Sequence, residues 1–213
     1  MARLRVGVLI SGRGSNLQAL IDAAADPAYP AEIAVVISNR ADAQGLQRAE
    51  AAGIPREIIA EKDRGAFAGA ADAALRHHQV GLVALAGFMR LLDEGFVETW
   101  RDRIINIHPS LLPAFPGLYP QRQALAAGAR FSGCTVHFVR NEMDTGPIIA
   151  QAVVPVHDDD DEERLAARIL AQEHRLYPLV IRLYAEGRLK IDGNRVIVAG
   201  GTAPAIAALN PIP

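Results

Sequence analysis

The stretch Val6-Gly7-Val8-Leu9-Ile10-Ser11-Gly12-Arg13-Gly14-Ser15-Asn16-Leu17 joins an apolar run, a glycine-rich turn and the opening of a helix. Val6 to Ser11 has the length and apolar continuity of a strand buried on both faces. Gly12-Arg13-Gly14 breaks it, and Leu17, Leu20 and Ile21 then follow helical spacing. Downstream the alternation repeats. Ile33 to Ser38 reads as a second strand, and Leu46 to Ala52 as a helix ending at Gly53. A short strand lies around Ile58, a helix runs from about Phe67 to His78, and Leu82 to Ala86 and Ile104 to His108 are further strands. Alternating β and α with near-continuous apolar strands predicts a parallel sheet covered by helices on both faces.

The pattern changes from Phe131. Thr135 to Val139 and Ile148 to Val154 are strand-like and flank a loop containing Asp144, Gly146 and Pro147. A long helix from Glu162 to about Gly187 follows, interrupted or kinked near Pro178. Asp158 to Asp161 precede it, as expected of acids that cap free N–H groups and face the positive end of the helix dipole. Leu189 to Ile191 and Arg195 to Val198 flank Asp192-Gly193-Asn194, a hairpin signal. The expected fold is α/β, an open and mostly parallel sheet with helices on both faces. Its first half is Rossmann-like, and antiparallel strands and a long helix complete it. Residues 1–213 read as one domain: a phosphate-binding βαβ half over 1–108, a second half over 109–198, and a loose tail over 199–213.

Bulk properties narrow the function classes. Lys and Arg number 22 against 24 Asp and Glu, a formal charge of -2, so no field suits wrapping a nucleic acid. Cys134 alone cannot form an internal disulfide, which fits a reducing cytoplasm. The run of apolar residues and glycine from Gly81 to Met89 falls far below the roughly 20 residues a membrane span needs. No His, Cys or carboxylate cluster has metal-ligand spacing. His77 and His78 read as residues favoured at a helix C-terminus.

Three places could carry chemistry. The Gly12-Arg13-Gly14-Ser15-Asn16 turn lets backbone N–H groups approach an anion, or is simply a tight turn with Ser15 as N-cap. Leu17 stands where a dinucleotide fingerprint needs its third glycine, and no Gly-Lys-Ser/Thr is present, so a plain phosphate cradle remains. Asn106 and His108 alternate on one strand and therefore project together at its carboxyl end, where open α/β sheets bind ligands. Asp144, on a Gly/Pro loop, could accept a proton from His108 or stabilise its charged form. Glu173 falls on the apolar stripe of Leu165, Ile169, Leu176 and Val180 and needs a partner there: ligand hydroxyls, or one of Arg168, Arg175 and Arg182.

These segments, in order, resemble the formyltetrahydrofolate-dependent formyltransferases, and within them the glycinamide ribonucleotide branch of purine biosynthesis. The matching text is Ile10 to Leu17, Leu85-Ala86-Gly87-Phe88-Met89-Arg90, Asn106 to Pro113, and Pro116-Gly117-Leu118. Val136 to Val139, Asp144 with Gly146-Pro147, and Gln172-Glu173-His174 complete it. The resemblance implies formyl transfer from 10-formyltetrahydrofolate, a co-substrate, to the amine of 5'-phosphoribosylglycinamide, with no metal. It implies that Asn106, His108 and Asp144 are catalytic, that Gly14, Ser15 and Asn16 hold the phosphate, and that Glu173 holds the ribose. The folate site it implies is Arg64, Met89, Arg90, Leu91 and Leu92 with Asn106 and the loop Arg140, Asn141, Glu142, Met143 and Asp144. Partners are then small molecules only, with neither nucleic acid nor membrane, and the protein is a monomer or homodimer.

One departure stands out: Tyr119 occupies a position where the family commonly has His. Arg13, at the variable position of the glycine turn, could add charge near the phosphate. A 10-formyltetrahydrofolate hydrolase would use the same three residues with water as nucleophile. A non-catalytic phosphate-ligand-binding protein would keep only the fold. Leu111 to Arg122, long and rich in proline, is the expected closing loop.

Overall fold

The computed structural model describes residues 2–202 and 208–210. Its elements are β1 (Leu4–Ile10), α1 (Ser15–Ala24), β2 (Ala31–Ser38), α2 (Gly45–Ala51), β3 (Arg56–Ile58), α3 (Arg64–His77), β4 (Leu82–Leu85) and α4 (Glu94–Thr99). They continue with β5 (Ile104–His108), α5 (Pro120–Ala126), β6 (Phe131–Phe138), β7 (Ile148–Pro155), α6 (Glu162–Ala185), β8 (Leu189–Asp192) and β9 (Arg195–Val198). All strands join one sheet in the order β3-β2-β1-β4-β5-β6-β7-β9-β8. The five strands from β3 to β5 are mutually parallel, as the alternation predicts. β6 then runs antiparallel to β5, and β7 antiparallel to β6.

Two apolar layers explain why β1 is apolar without alternation. Val6, Val8 and Ile10 pack with Leu17 and Leu20 of α1 and with Leu165, Ile169 and Tyr177 of α6. Leu9 faces the other way, with Val35, Ile37, Phe67, Leu75 and Trp100. Side chains alternate across a strand, so covering both faces makes every position apolar. Strand order reverses beside β1, whose neighbours are β2 and β4, and such a reversal opens a crevice at the strands' carboxyl ends. The Ser11 N–H donates across that crevice to the Gly87 carbonyl at 3.1 Å.

Helix ends follow the acid signals. Asp161 caps α6 by accepting from the Arg164 N–H at 2.8 Å, and Asp160 forms a two-pronged pair with Arg168 that pulls its carboxyl pKa down to about 2. α6 runs unbroken through Pro178, against the expected interruption. The Tyr177 hydroxyl ties its middle to the Leu85 and Ile105 carbonyls, and the Pro178 carbonyl accepts from the Tyr29 hydroxyl at 2.7 Å. Such anchoring outweighs the one helical hydrogen bond that proline removes. At α1 the N-cap is Gly14, with φ 72°, and not Ser15, which is the first helical residue. Of the tail expected to be loose, residues 203–207 and 211–213 lie outside the described residues; the Asn210 amide is held by the Arg130 and Val156 carbonyls. Among the described residues no helix is long and apolar enough to cross a membrane.

Candidate active site

β5 delivers Asn106 and His108 to the carboxyl end of the sheet, and antiparallel pairing sets His137 opposite Asn106 and Thr135 opposite His108. The His137 Nδ1–H donates to the Phe138 carbonyl at 3.0 Å. Burial lowers its pKa, so the ring is neutral and Nε2 carries a lone pair. That lone pair accepts from the Asn106 amide at 3.3 Å, which fixes the amide's orientation and leaves its second hydrogen to the site. His137 is absent from the sequence-predicted site. A signal was there: Thr135 and His137 alternate with Val136 and Phe138, just as Asn106 and His108 alternate with the isoleucines beside them.

Asp144 arrives from the loop between β6 and β7. Its carboxylate lies 3.5 Å from His108 Nδ1 and 3.8 Å from His137 Nε2, and both it and the His108 ring are only 8% exposed. The three sequence-predicted catalytic side chains therefore converge, although Asp144 lies far from the other two along the chain. Asp144 sits at φ 58°, a left-handed conformation that Asp adopts more readily than most residues. Gly146 makes the approach possible, because a Cβ there would lie 1.6 Å from the Phe138 carbonyl oxygen.

The far side of the imidazole is also occupied. His108 Nε2 lies 3.0 Å from the Phe115 carbonyl, which can only accept, so Nε2 carries the hydrogen. Nδ1 is then the ring nitrogen left facing Asp144. The Gly117 N–H donates to Asp144 Oδ2 at 2.8 Å, so the segment expected to close over the site touches both groups.

A second cluster joins the glycine turn to α6. Glu173 is buried, and its partner is Asn16, whose amide donates at 2.7 Å, rather than an arginine of its own helix. Burial raises the Glu173 pKa and the Asn16 bond opposes it. Asn16 Oδ1 is buried with no hydrogen-bond partner among the described residues, an acceptor suited to a ligand hydroxyl or amine. The exposed Arg13 lines a cleft of about 210 Å³ with Ser11, Gly12, Arg40 and Asp42. The Ser11 hydroxyl accepts from the Met89 N–H at 2.9 Å, linking this turn to the segment that follows β4.

The remaining predicted residues form two rims. Arg64 donates to the Leu92 carbonyl, and Arg90 holds the Glu61 and Lys62 carbonyls with its guanidinium 4.9 Å from the centre of the Phe67 ring. Leu92 and Val139 pack into one apolar cluster, which sets the 89–92 segment beside the base of the 140–144 loop. Met89, Leu91 and Met143 are exposed large apolar side chains on these rims. Arg140 is tied to Asp102 at 2.6 Å and Asn141 to Glu98 at 3.3 Å, which engages the two with α4 and the turn after it.

A family model described as formyl transferase matches residues 4–181. The chain belongs to the formyl transferase family. It is similar to the phosphoribosylglycinamide formyltransferase of Escherichia coli K12, 46% identical with 94% of this chain and 96% of that one covered. Among solved formyl transferase structures, glycinamide ribonucleotide transformylase 1 from Symbiobacterium toebii has a TM-score of 0.89 at 53% identity, covering 92% of this chain and 94% of that one. A formyltetrahydrofolate deformylase from Pseudomonas syringae pv. tomato is more distant, at 31% identity and TM-score 0.84, covering 92% of this chain and 66% of that one. The trifunctional purine biosynthetic protein adenosine-3 of Drosophila pseudoobscura pseudoobscura is 53% identical over 88% of this chain, which spans only 14% of that protein's length.

Proposed function

We propose that residues 1–213 act as one formyltransferase domain that moves the formyl group of 10-formyltetrahydrofolate to the amine of 5'-phosphoribosylglycinamide. The observation that carries this reading is the convergence of Asn106, His108 and Asp144 at the end of β5. The amine attacks the formyl carbon, and negative charge gathers on the former carbonyl oxygen. The free hydrogen of the Asn106 amide and an Nδ1–H of His108 stabilise that oxygen more than the planar starting carbonyl. Asp144 balances the charge of the imidazolium and takes the proton that the amine sheds, directly or through a water. The bond to the folate nitrogen then breaks, and that nitrogen gains a proton from His108.

Binding follows from the same geometry. The amide N–H groups at the start of α1 suit a phosphate, and Glu173 with Asn16 suits ribose hydroxyls. Met89, Leu91 and Met143 offer an apolar shelf for a flat heterocycle. An assay of folate release with and without the ribonucleotide tests the reading. Release that depends on the amine supports it, whereas equal release in water alone indicates a hydrolase and no release indicates a non-catalytic protein.

Glu173→Gln separates affinity from stability. A hydrogen bond to a charged group contributes roughly 1.5–3 kcal/mol, so the KM for the ribonucleotide rises about tenfold or more. Stability moves the other way. The folded-state pKa of Glu173 is raised, so its contribution is fully present below the unfolded pKa and is lost as pH rises through the folded value. The Tm of the variant therefore exceeds that of the parent at neutral pH, and the gap closes as pH falls below about 4. Melting curves at several pH values check the sign.

A further inference from the structure

The segment between His108 and α5 is strained and clamped at once. Phe115, Gly117 and Tyr119 all have positive φ, at 54°, 77° and 57°, and two of these three are not glycine. Non-glycine residues persist there only when their surroundings over-determine them. This segment supplies the Phe115 carbonyl to His108 and the Gly117 N–H to Asp144. Gln123, one turn into α5, donates from Nε2 to the Pro116 carbonyl at 3.0 Å and to the Leu118 carbonyl at 2.9 Å. Its amide thus grips the chain on both sides of Gly117 while touching neither catalytic side chain.

We infer that Gln123 is a positioning residue: it fixes the 115–119 backbone so that His108 keeps Nδ1 toward Asp144 and Asp144 stays beside it. This rests on the formyl-transfer reading above. Glu173 is hydrogen-bonded to Asn16 of the glycine turn, and among the described residues the Gln123 side chain bonds only the Pro116 and Leu118 carbonyls, so the effect falls on turnover and not on ribonucleotide binding.

Two variants test it in the full chain. Gln123→Glu keeps the shape but sets acceptor against acceptor; Gln123→Ala removes the grip. Each is expected to lower kcat about tenfold or more, to leave the ribonucleotide KM within about twofold, and to shift the pH profile of kcat, since hydrogen bonding of His108 and Asp144 changes. Activity is counted per folded protein, from melting curves on the same samples. A purely structural role would lower the folded fraction and leave kcat per folded molecule and its pH profile unchanged, which overturns the inference. So does a ribonucleotide KM that rises as kcat falls. A parent protein with no amine-dependent release would instead refute the transferase reading, so the two failures are distinct.

Discussion

Replacing His108 by alanine lowers kcat about 100-fold or more and leaves the KM for the ribonucleotide within about twofold. The first figure follows from the range of 10² to 10⁴ that a positioned general acid contributes. Alanine removes the ring whose Nδ1 faces Asp144, leaving that carboxylate, only 8% exposed, with the Gly117 N–H as its hydrogen-bond donor. The second figure follows from placement. The ribonucleotide sites proposed at the glycine turn and Glu173 use neither ring nitrogen, and Asn106 keeps its own anchor on His137. Steady-state kinetics against both substrates reads the split. Turnover within a few-fold of the parent would exclude His108 from the chemistry.

Gly146→Ala is expected to cost about as much, though it touches no substrate. Its Cβ would stand 1.6 Å from the Phe138 carbonyl oxygen, a backbone atom at the end of β6 whose own strand is locked on both sides. Something has to move, and the loop is the softer partner. Asp144 lies two residues away in a left-handed conformation that the same loop enforces. A displacement of about 1 Å suffices to cost about 100-fold when reacting groups must be aligned. Loss of kcat with a retained ribonucleotide KM is the expected signature, read beside a melting curve. Parent-like kcat would mean that the loop tolerates the shift and that the placement of Asp144 is uncritical.

The sequence revealed the parallel half of the sheet because burial on both faces leaves an unambiguous apolar run at β1, β2 and β4. It concealed α4 and α5, which bury only Phe96 and Val97 in the one and Pro120 and Ala124 in the other, too few to mark a helical stripe. β6 begins at Phe131, four residues before the expected start at Thr135, because Gly133 reads as a breaker. In the sheet that glycine is required, since a Cβ there would meet the Ala152 carbonyl oxygen at 1.9 Å. α6 passes through Pro178 because contacts distant in sequence hold it. Asn106 and His108 were legible from strand alternation alone, and Asp144 joined them only through its loop and a resemblance. His137 and Gln123 were not read as site residues. Their parts depend on cross-strand register and on backbone carbonyls, neither of which is written in residue types.

The most direct test of the central claim, that His108 and Asp144 work as one unit on a single carbon, is a double-mutant cycle on kcat. His108→Ala, Asp144→Ala and the double variant are compared with the parent under saturating substrates. Groups that act together lose their joint effect once, so the double variant is expected to be about as slow as the slower single variant. Losses that multiply across the two sites would show independent action and contradict the account.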